Sequence, residues 1–142
     1  MTNTINSFTG DYKFLSNFYP CKVELDGVEY PSVEHAYQAA KTLDKDERKV
    51  FHKRPLPTAG ESKKLGRKLK MRPDWESVKL QVMEELLVQK FADDLLKKQL
   101  QETGEATLVE GNYWGDDFWG VDKKKGGKNH LGKLLMKIRD SK

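Results

Sequence analysis

Tyr30-Pro31-Ser32-Val33-Glu34-His35-Ala36-Tyr37-Gln38-Ala39-Ala40-Lys41 is the stretch that decides how this chain reads. Pro31-Ser32 ends a strand, and Ser32 is the natural N-cap of a short helix behind it. A helix advances about 100° per residue, so Tyr37, Gln38 and Lys41 follow Glu34 at i+3, i+4 and i+7 on one face. Stripes that enter a core are normally apolar. This one carries a carboxylate, a phenol, an amide and an amine. It reads either as a solvated face, because charged side chains are mostly exposed, or as a face turned toward a polar ligand.

Upstream, Val23 and Leu25 alternate with polar residues, Asp26-Gly27 is a turn signal, and Val28 to Tyr30 return, so residues 21–30 read as a hairpin. Before it lies an aromatic segment with Tyr12, Phe14, Phe18 and Tyr19. Downstream, Asp44 with Glu47 resembles a capping box, predicting a helix that ends before Pro55. Residues 58–70 predict a helix crowded with Lys63, Lys64, Arg67, Lys68 and Lys70. After Pro73, the spacing of Trp75, Val78, Val82, Leu86, Phe91, Leu95 and Leu96 predicts one helix running to about Gln101, stopped by Thr103-Gly104. Residues 107–110 predict a short strand, 111–120 an aromatic acidic loop and 123–128 a mobile basic loop. Asn129 is placed as the cap of a last helix that buries Leu131, Leu134, Leu135 and Ile138. The expected architecture is α+β and predominantly helical, a single domain over residues 1–142 with a small antiparallel β-sheet in its N-terminal half.

Bulk properties narrow the class. A chain of 142 residues fits one domain with a real core. Although 34% of residues are charged, six Phe, five Tyr and three Trp argue against disorder. The net charge of +4 favours anionic partners: nucleotides, phosphorylated metabolites or nucleic acid. With Cys21 alone, neither an intramolecular disulfide nor a cysteine zinc site is expected. No signal peptide or membrane span is read, which points to the cytoplasm. Neither a Walker motif nor GxGxxG occurs, and His35, His52 and His130 lack metal-ligand spacing, so neither metal nor cofactor is expected.

Two further segments invite chemistry. Gly111-Asn112-Tyr113-Trp114-Gly115-Asp116-Asp117-Phe118-Trp119-Gly120 mixes rings, carboxylates and glycines. Exposed rings stack on nucleobases, while the plainer reading is a turn whose tryptophans simply pack. In Phe14-Leu15-Ser16-Asn17-Phe18-Tyr19-Pro20, Ser16 and Asn17 can bond sugar hydroxyls or base edges, and the same pair is ordinary turn chemistry.

These segments, together with Lys64-Leu65-Gly66-Arg67, Arg72-Pro73-Asp74-Trp75, Lys90-Phe91, Leu108-Val109-Glu110 and Asn129-His130-Leu131-Gly132-Lys133-Leu134-Leu135-Met136, resemble the NADAR (YbiA-like) family, in its order and from about residue 8 to 140. The resemblance implies an N-glycosidase acting on ribosyl-phosphate or ADP-ribosyl compounds. One branch hydrolyses phosphorylated early intermediates of riboflavin synthesis, and another removes ADP-ribose from guanine in nucleic acid. It places the essential carboxylate on Glu34 and a second on Asp116, which would position a ribose hydroxyl or the water. Lys41 would steer phosphate, act as an acid or attack the opened sugar as an amine. Phe18 and Trp119 would clamp the flat base. Ser16, Asn17, Tyr37, Gln38 and Asn112 would hold sugar or base edges, and Lys64 and Arg67 the phosphate. Trp114-Gly115 and Asp117 depart from the family pattern, so Asp116 and Asp117 both stand as candidates. The competing readings are a non-catalytic ADP-ribose or NAD-binding module and a nucleic-acid-binding protein.

Overall fold

The computed structural model describes residues 3–141. Along the chain come β1 (Thr4–Ile5), a 3-10 turn (Gly10–Leu15), β2 (Pro20–Leu25), β3 (Val28–Ser32), α1 (Val33–Ala40), α2 (Lys45–Arg48), a second 3-10 turn (Lys49–Phe51), α3 (Ala59–Gly66), α4 (Trp75–Lys90), α5 (Asp94–Glu102), β4 (Thr107–Leu108), β5 (Gly111–Asn112), β6 (Val121–Asp122) and α6 (His130–Asp140). The helix-rich α+β expectation holds, and the small antiparallel sheet expected in the N-terminal half is the β2–β3 hairpin; two parallel ladders add to it. Only β2–β3 is antiparallel; β1 pairs with β4 and β5 with β6 in parallel, as short two-residue ladders. The contacts divide into two units, residues 17–90 and residues 3–16 with 91–141.

In the unit of residues 17–90, the β2–β3 hairpin turns through Asp26 (φ 51°) and Gly27 (φ 81°). Positive φ at both central residues is what a type I′ hairpin turn requires. Val23 and Tyr30 pair across it and are both buried. The strand runs straight into α1, whose N-terminus is capped by Ser32 as expected: its Oγ accepts from the His35 N–H at 3.1 Å. At the far end, Arg48 donates from Nε to the carbonyls of Ala39 (3.2 Å) and Thr42 (2.8 Å), and from Nη1 to Asp26 (2.6 Å). One buried guanidinium thus closes the helix end, where cations are favoured, and ties it to the hairpin turn.

Asp44 does cap α2, bonding the N–H groups of Asp46 and Glu47. Glu47 does not complete the box, because its carboxylate takes the Thr42 hydroxyl instead. The full capping box belongs to Thr58 and Glu61 at the start of α3. The predicted long helix is two. Phe91 and Ala92 leave helical geometry and Asp93 caps α5 through the Leu96 N–H at 3.0 Å. An Asx side chain offers a fresh N-terminus that hydrophobic periodicity alone does not reveal.

In the other unit, Gly104 (φ 62°) ends α5 as expected. The Arg139 guanidinium, buried on α6, donates to Thr103 Oγ1 (3.1 Å) and the Ala106 carbonyl (2.7 Å). Asn129 precedes α6 but makes no capping bond. Its amide instead bridges the Leu108 carbonyl (2.9 Å) and the Glu110 N–H (3.1 Å). Leu131 and Leu135 are fully buried, while Leu134 and Ile138 are only partly so. The expected mobile loop at 123–128 is an ordered turn: Asp122 accepts from the backbones of Lys124 and Lys125, and its own N–H meets the Gly126 carbonyl.

Candidate active site

The polar stripe on α1 is not solvated. Residues 32–40 are buried without interruption. Glu34 is 7% exposed and Gln38 3%. Two features make this tolerable. Small residues (Ala36, Ala39 and Ala40) let neighbours close over the helix, and most of the polar groups find partners, Gln38 Oε1 excepted. Gln38 Nε2 donates to Glu34 Oε2 at 2.6 Å. The Glu34 N–H donates to the Asn17 carbonyl at 3.1 Å. His35 Nε2 donates to the Pro57 carbonyl at 2.7 Å, which leaves Nδ1 to accept the Ser32 hydroxyl proton at 2.6 Å. That imidazole pins the segment before α3 to the start of α1. Tyr37 packs its ring on Trp75, centroids 5.2 Å apart.

Helix α3 approaches α1 at Gly66. A Cβ there would run into the Gln38 amide, so glycine is what lets α3 close on the helix while Gln38 stays on Glu34. Asn17, also buried, points Nδ2 at Met83 Sδ (3.5 Å), and its Oδ1 has no hydrogen-bond partner. Phe18 is 45% exposed, with its ring edge 3.9 Å from the Cβ position of Gly60 on α3.

Lys41 terminates α1, half-buried, with Nζ 5.7 Å above the Tyr37 ring. Burial lowers its pKa; Glu34 pulls it back up, and Arg67, Lys63 and Lys79 push it down again. One buried carboxylate and three further cations, from α3 and its end and from α4, therefore act on the Lys41 amine. Of the two expected phosphate contacts, both exposed, Arg67 acts on Lys41 and Lys64 does not. Lys63 and Lys79 were not among the expected residues. Ser62 and Gly66 carried the signal: these small buried residues mark the packed stripe of α3. Lys64 sits about 160° or more from both, on the far side.

The other unit holds Asn112, Asp116, Trp119 and Ser16. Asn112 is 1% exposed, and its amide clips the turn at both ends: Nδ2 donates to the Asp116 carbonyl (2.8 Å) and Oδ1 accepts the Asp116 N–H (3.0 Å). Asp116 Oδ1 accepts from the N–H groups of Phe118 (3.2 Å) and Trp119 (3.0 Å). Asp117 is exposed. Trp119 is half-buried, edge-on to Phe118 at 4.9 Å between centroids, and Phe118 lies 4.6 Å from His130. Ser16 closes the first 3-10 turn, its N–H on the Lys13 carbonyl. Among the described residues, no cluster of three His, Cys, Asp or Glu side chains could hold a metal, and no helix is long and apolar enough to cross a membrane.

A family model described as the NADAR domain matches residues 6–141. A protein of Shigella boydii named N-glycosidase YbiA is 37% identical over 144 residues, covering 99% of this chain and 89% of that protein. A riboflavin biosynthesis protein of Vibrio vulnificus is 35% identical over 134 residues, which are 92% of this chain but 35% of that protein. The NMR structure of the Escherichia coli protein YbiA superposes with a TM-score of 0.83 at 37% identity, covering 98% of this chain and 84% of that one. Matched along nearly its whole length in sequence and in fold, the chain belongs to the NADAR domain family.

Proposed function

We propose that this chain, an N-glycosyl hydrolase of the NADAR family, cleaves the N-glycosidic bond of a phosphorylated ribosyl or ADP-ribosyl compound, with Glu34 as the carboxylate facing the reacting carbon. One observation carries the reading: a buried carboxylate, held by Gln38, acts on the Lys41 amine, on which Lys63, Arg67 and Lys79 also act. Breaking such a bond builds positive charge at the anomeric carbon, which a fixed anion in a water-poor site stabilises. Water then adds to that carbon, and the nitrogen leaves with a proton. The cations suit a phosphate, and a Lys41 pKa lowered by burial makes the ammonium a readier proton donor. The free Oδ1 of Asn17 suits a ribose hydroxyl.

In the second unit the assignments are local. Asn112 and Asp116 brace the turn that presents Trp119, and Trp119 offers a stacking face to a planar ring. In the unit of residues 17–90, a grouping of Glu24, Asp26, Glu84 and Glu85 around two surface grooves of about 570 and 280 Å³ is acidic and suits an anionic substrate poorly. The names of the relatives support riboflavin-type intermediates as the first substrates to try, followed by ADP-ribosylated guanosine. The test incubates each with wild type and with Glu34→Gln and measures the freed base or amine. Release by wild type alone is the expected result. Release at the same rate by Glu34→Gln removes Glu34 from the mechanism, and tight binding without release by wild type favours a binding module.

A further inference from the structure

We propose that the turn carrying Tyr113 and Trp114, with Lys123, Lys124, Lys125 and Lys128 around it, is a docking surface for single-stranded nucleic acid. It lies within the unit of residues 3–16 and 91–141, and it stands whether or not the assignment of Glu34 does. Tyr113 is 81% exposed and Trp114 63%. Rings of this size normally bury on the order of 150–250 Å² each, and here two neighbours on one tip forgo it.

The surroundings are cationic and built. Parallel pairing of Asn112 with Asp122 sets residues 113 and 123 side by side, and Lys123 Nζ stands 5.7 Å from the Tyr113 ring centre. Lys125 Nζ lies 3.4 Å from the Cβ position of Gly115, the residue after Trp114. The Lys128 N–H bonds the Asp117 carbonyl at 2.8 Å, which holds a fourth lysine at the same loop. Asp122 joins the two turns: Oδ1 accepts from the Gly115 N–H (2.9 Å), and Oδ2 from those of Lys124 (3.0 Å) and Lys125 (2.9 Å). Those N–H groups hold its carboxyl below the usual carboxylate range, so the brace is charged and formed at neutral pH. Asp116 Oδ1 and both Asp122 oxygens accept backbone N–H groups, and Asp117 is the exposed carboxylate beside the four lysines.

Flat rings accept unstacked bases, and lysines meet the phosphates between them. In a duplex the bases already stack on one another, so the two rings favour a single strand. A lone nucleotide would engage one ring and one or two cations, whereas two rings and four cations match a run of several nucleotides.

The experiment measures binding of the full chain to a labelled oligothymidylate of about 12 nucleotides, to the corresponding duplex, and to phosphatidylserine–phosphatidylcholine vesicles, between about 50 and 200 mM salt. The single strand is expected to bind in preference to both. Trp114→Ala should weaken it about 5- to 150-fold while Trp114→Phe keeps most of the affinity. The combined Lys123→Ala, Lys124→Ala and Lys125→Ala variant should lower the slope of log K against log salt by about 2. Hydrolysis of a small ribosyl phosphate should be unchanged in these variants. Equal affinity for duplex, preference for vesicles, an unaltered slope, or no loss with Trp114→Ala would overturn the proposal.

Discussion

Helix α1 and the turn after β5 dispose of their side chains in opposite ways. Over residues 32–40 a carboxylate, an imidazole, a phenol and an amide are buried. At 113–114 a phenol and an indole face solvent. Burial therefore follows bonding opportunity as much as polarity. In α1 Glu34, His35 and the Gln38 amide nitrogen meet partners one helical turn away or on the adjoining segment, so much of the desolvation is offset, while Gln38 Oε1 is buried without a hydrogen bond. In the turn, the short polar residues Asn112, Asp116 and Asp122 take the interior positions, because backbone N–H groups in tight turns need acceptors. The aromatic side chains are left outside.

The comparison can be tested first at the buried carboxylate of α1. Glu34→Gln keeps size and a hydrogen-bonding oxygen but removes the anion. It should lower kcat by about 10²–10³, or about 2.7–4 kcal/mol in the barrier, with an unchanged thermal midpoint. A large loss of stability instead would make Glu34 a structural residue. Next is Lys90, 1% exposed, with Nζ 5.7 Å from the Tyr19 ring centre. Burial lowers its pKa from the ordinary 10.5 to about 8. Between those values the folded chain binds fewer protons than the unfolded chain, so stability should rise with pH across that window. Lys90→Met should flatten the rise and stabilise the protein at pH 7 by on the order of 3 kcal/mol, read from urea unfolding at several pH values.

Gly66→Ala tests how closely α3 must approach. The new Cβ must displace the Gln38 amide from Glu34. Overpacking of this kind costs about 1–3 kcal/mol, and kcat should fall along with stability. Loss of stability with full activity would show that the Gln38–Glu34 bond is dispensable. The smallest effect sharpens the choice between neighbouring lysines. Lys63→Ala should raise KM for a phosphorylated substrate about tenfold, whereas Lys64→Ala should change it less than about twofold. Equal effects would place both lysines on the ligand, or neither.

Much of the local structure was legible from neighbouring residues. Ser32 before an apolar-spaced run, Asp26-Gly27 between alternating strands and Thr103-Gly104 after a helical period each specify conformation through atoms only a few positions apart. The failures share a cause. The break at Asp93, the true box at Thr58–Glu61, and Asn129 bridging Leu108 and Glu110 all depend on which of several available bonds a short polar side chain makes. That choice is settled by what packs nearby.

Within the site the division is the same. The sequence by itself determined that Glu34, Tyr37, Gln38 and Lys41 share a helical stripe, because helix geometry fixes which residues share a face. Packing between segments buries the stripe, brings Lys63 and Lys79 rather than Lys64 to bear on Lys41, and sets Asp116 Oδ1 on the backbone of its own turn. Helical periodicity is a property of the backbone. Desolvation and the meeting of charges depend on which segments pack together, and no local pattern encodes that partnership.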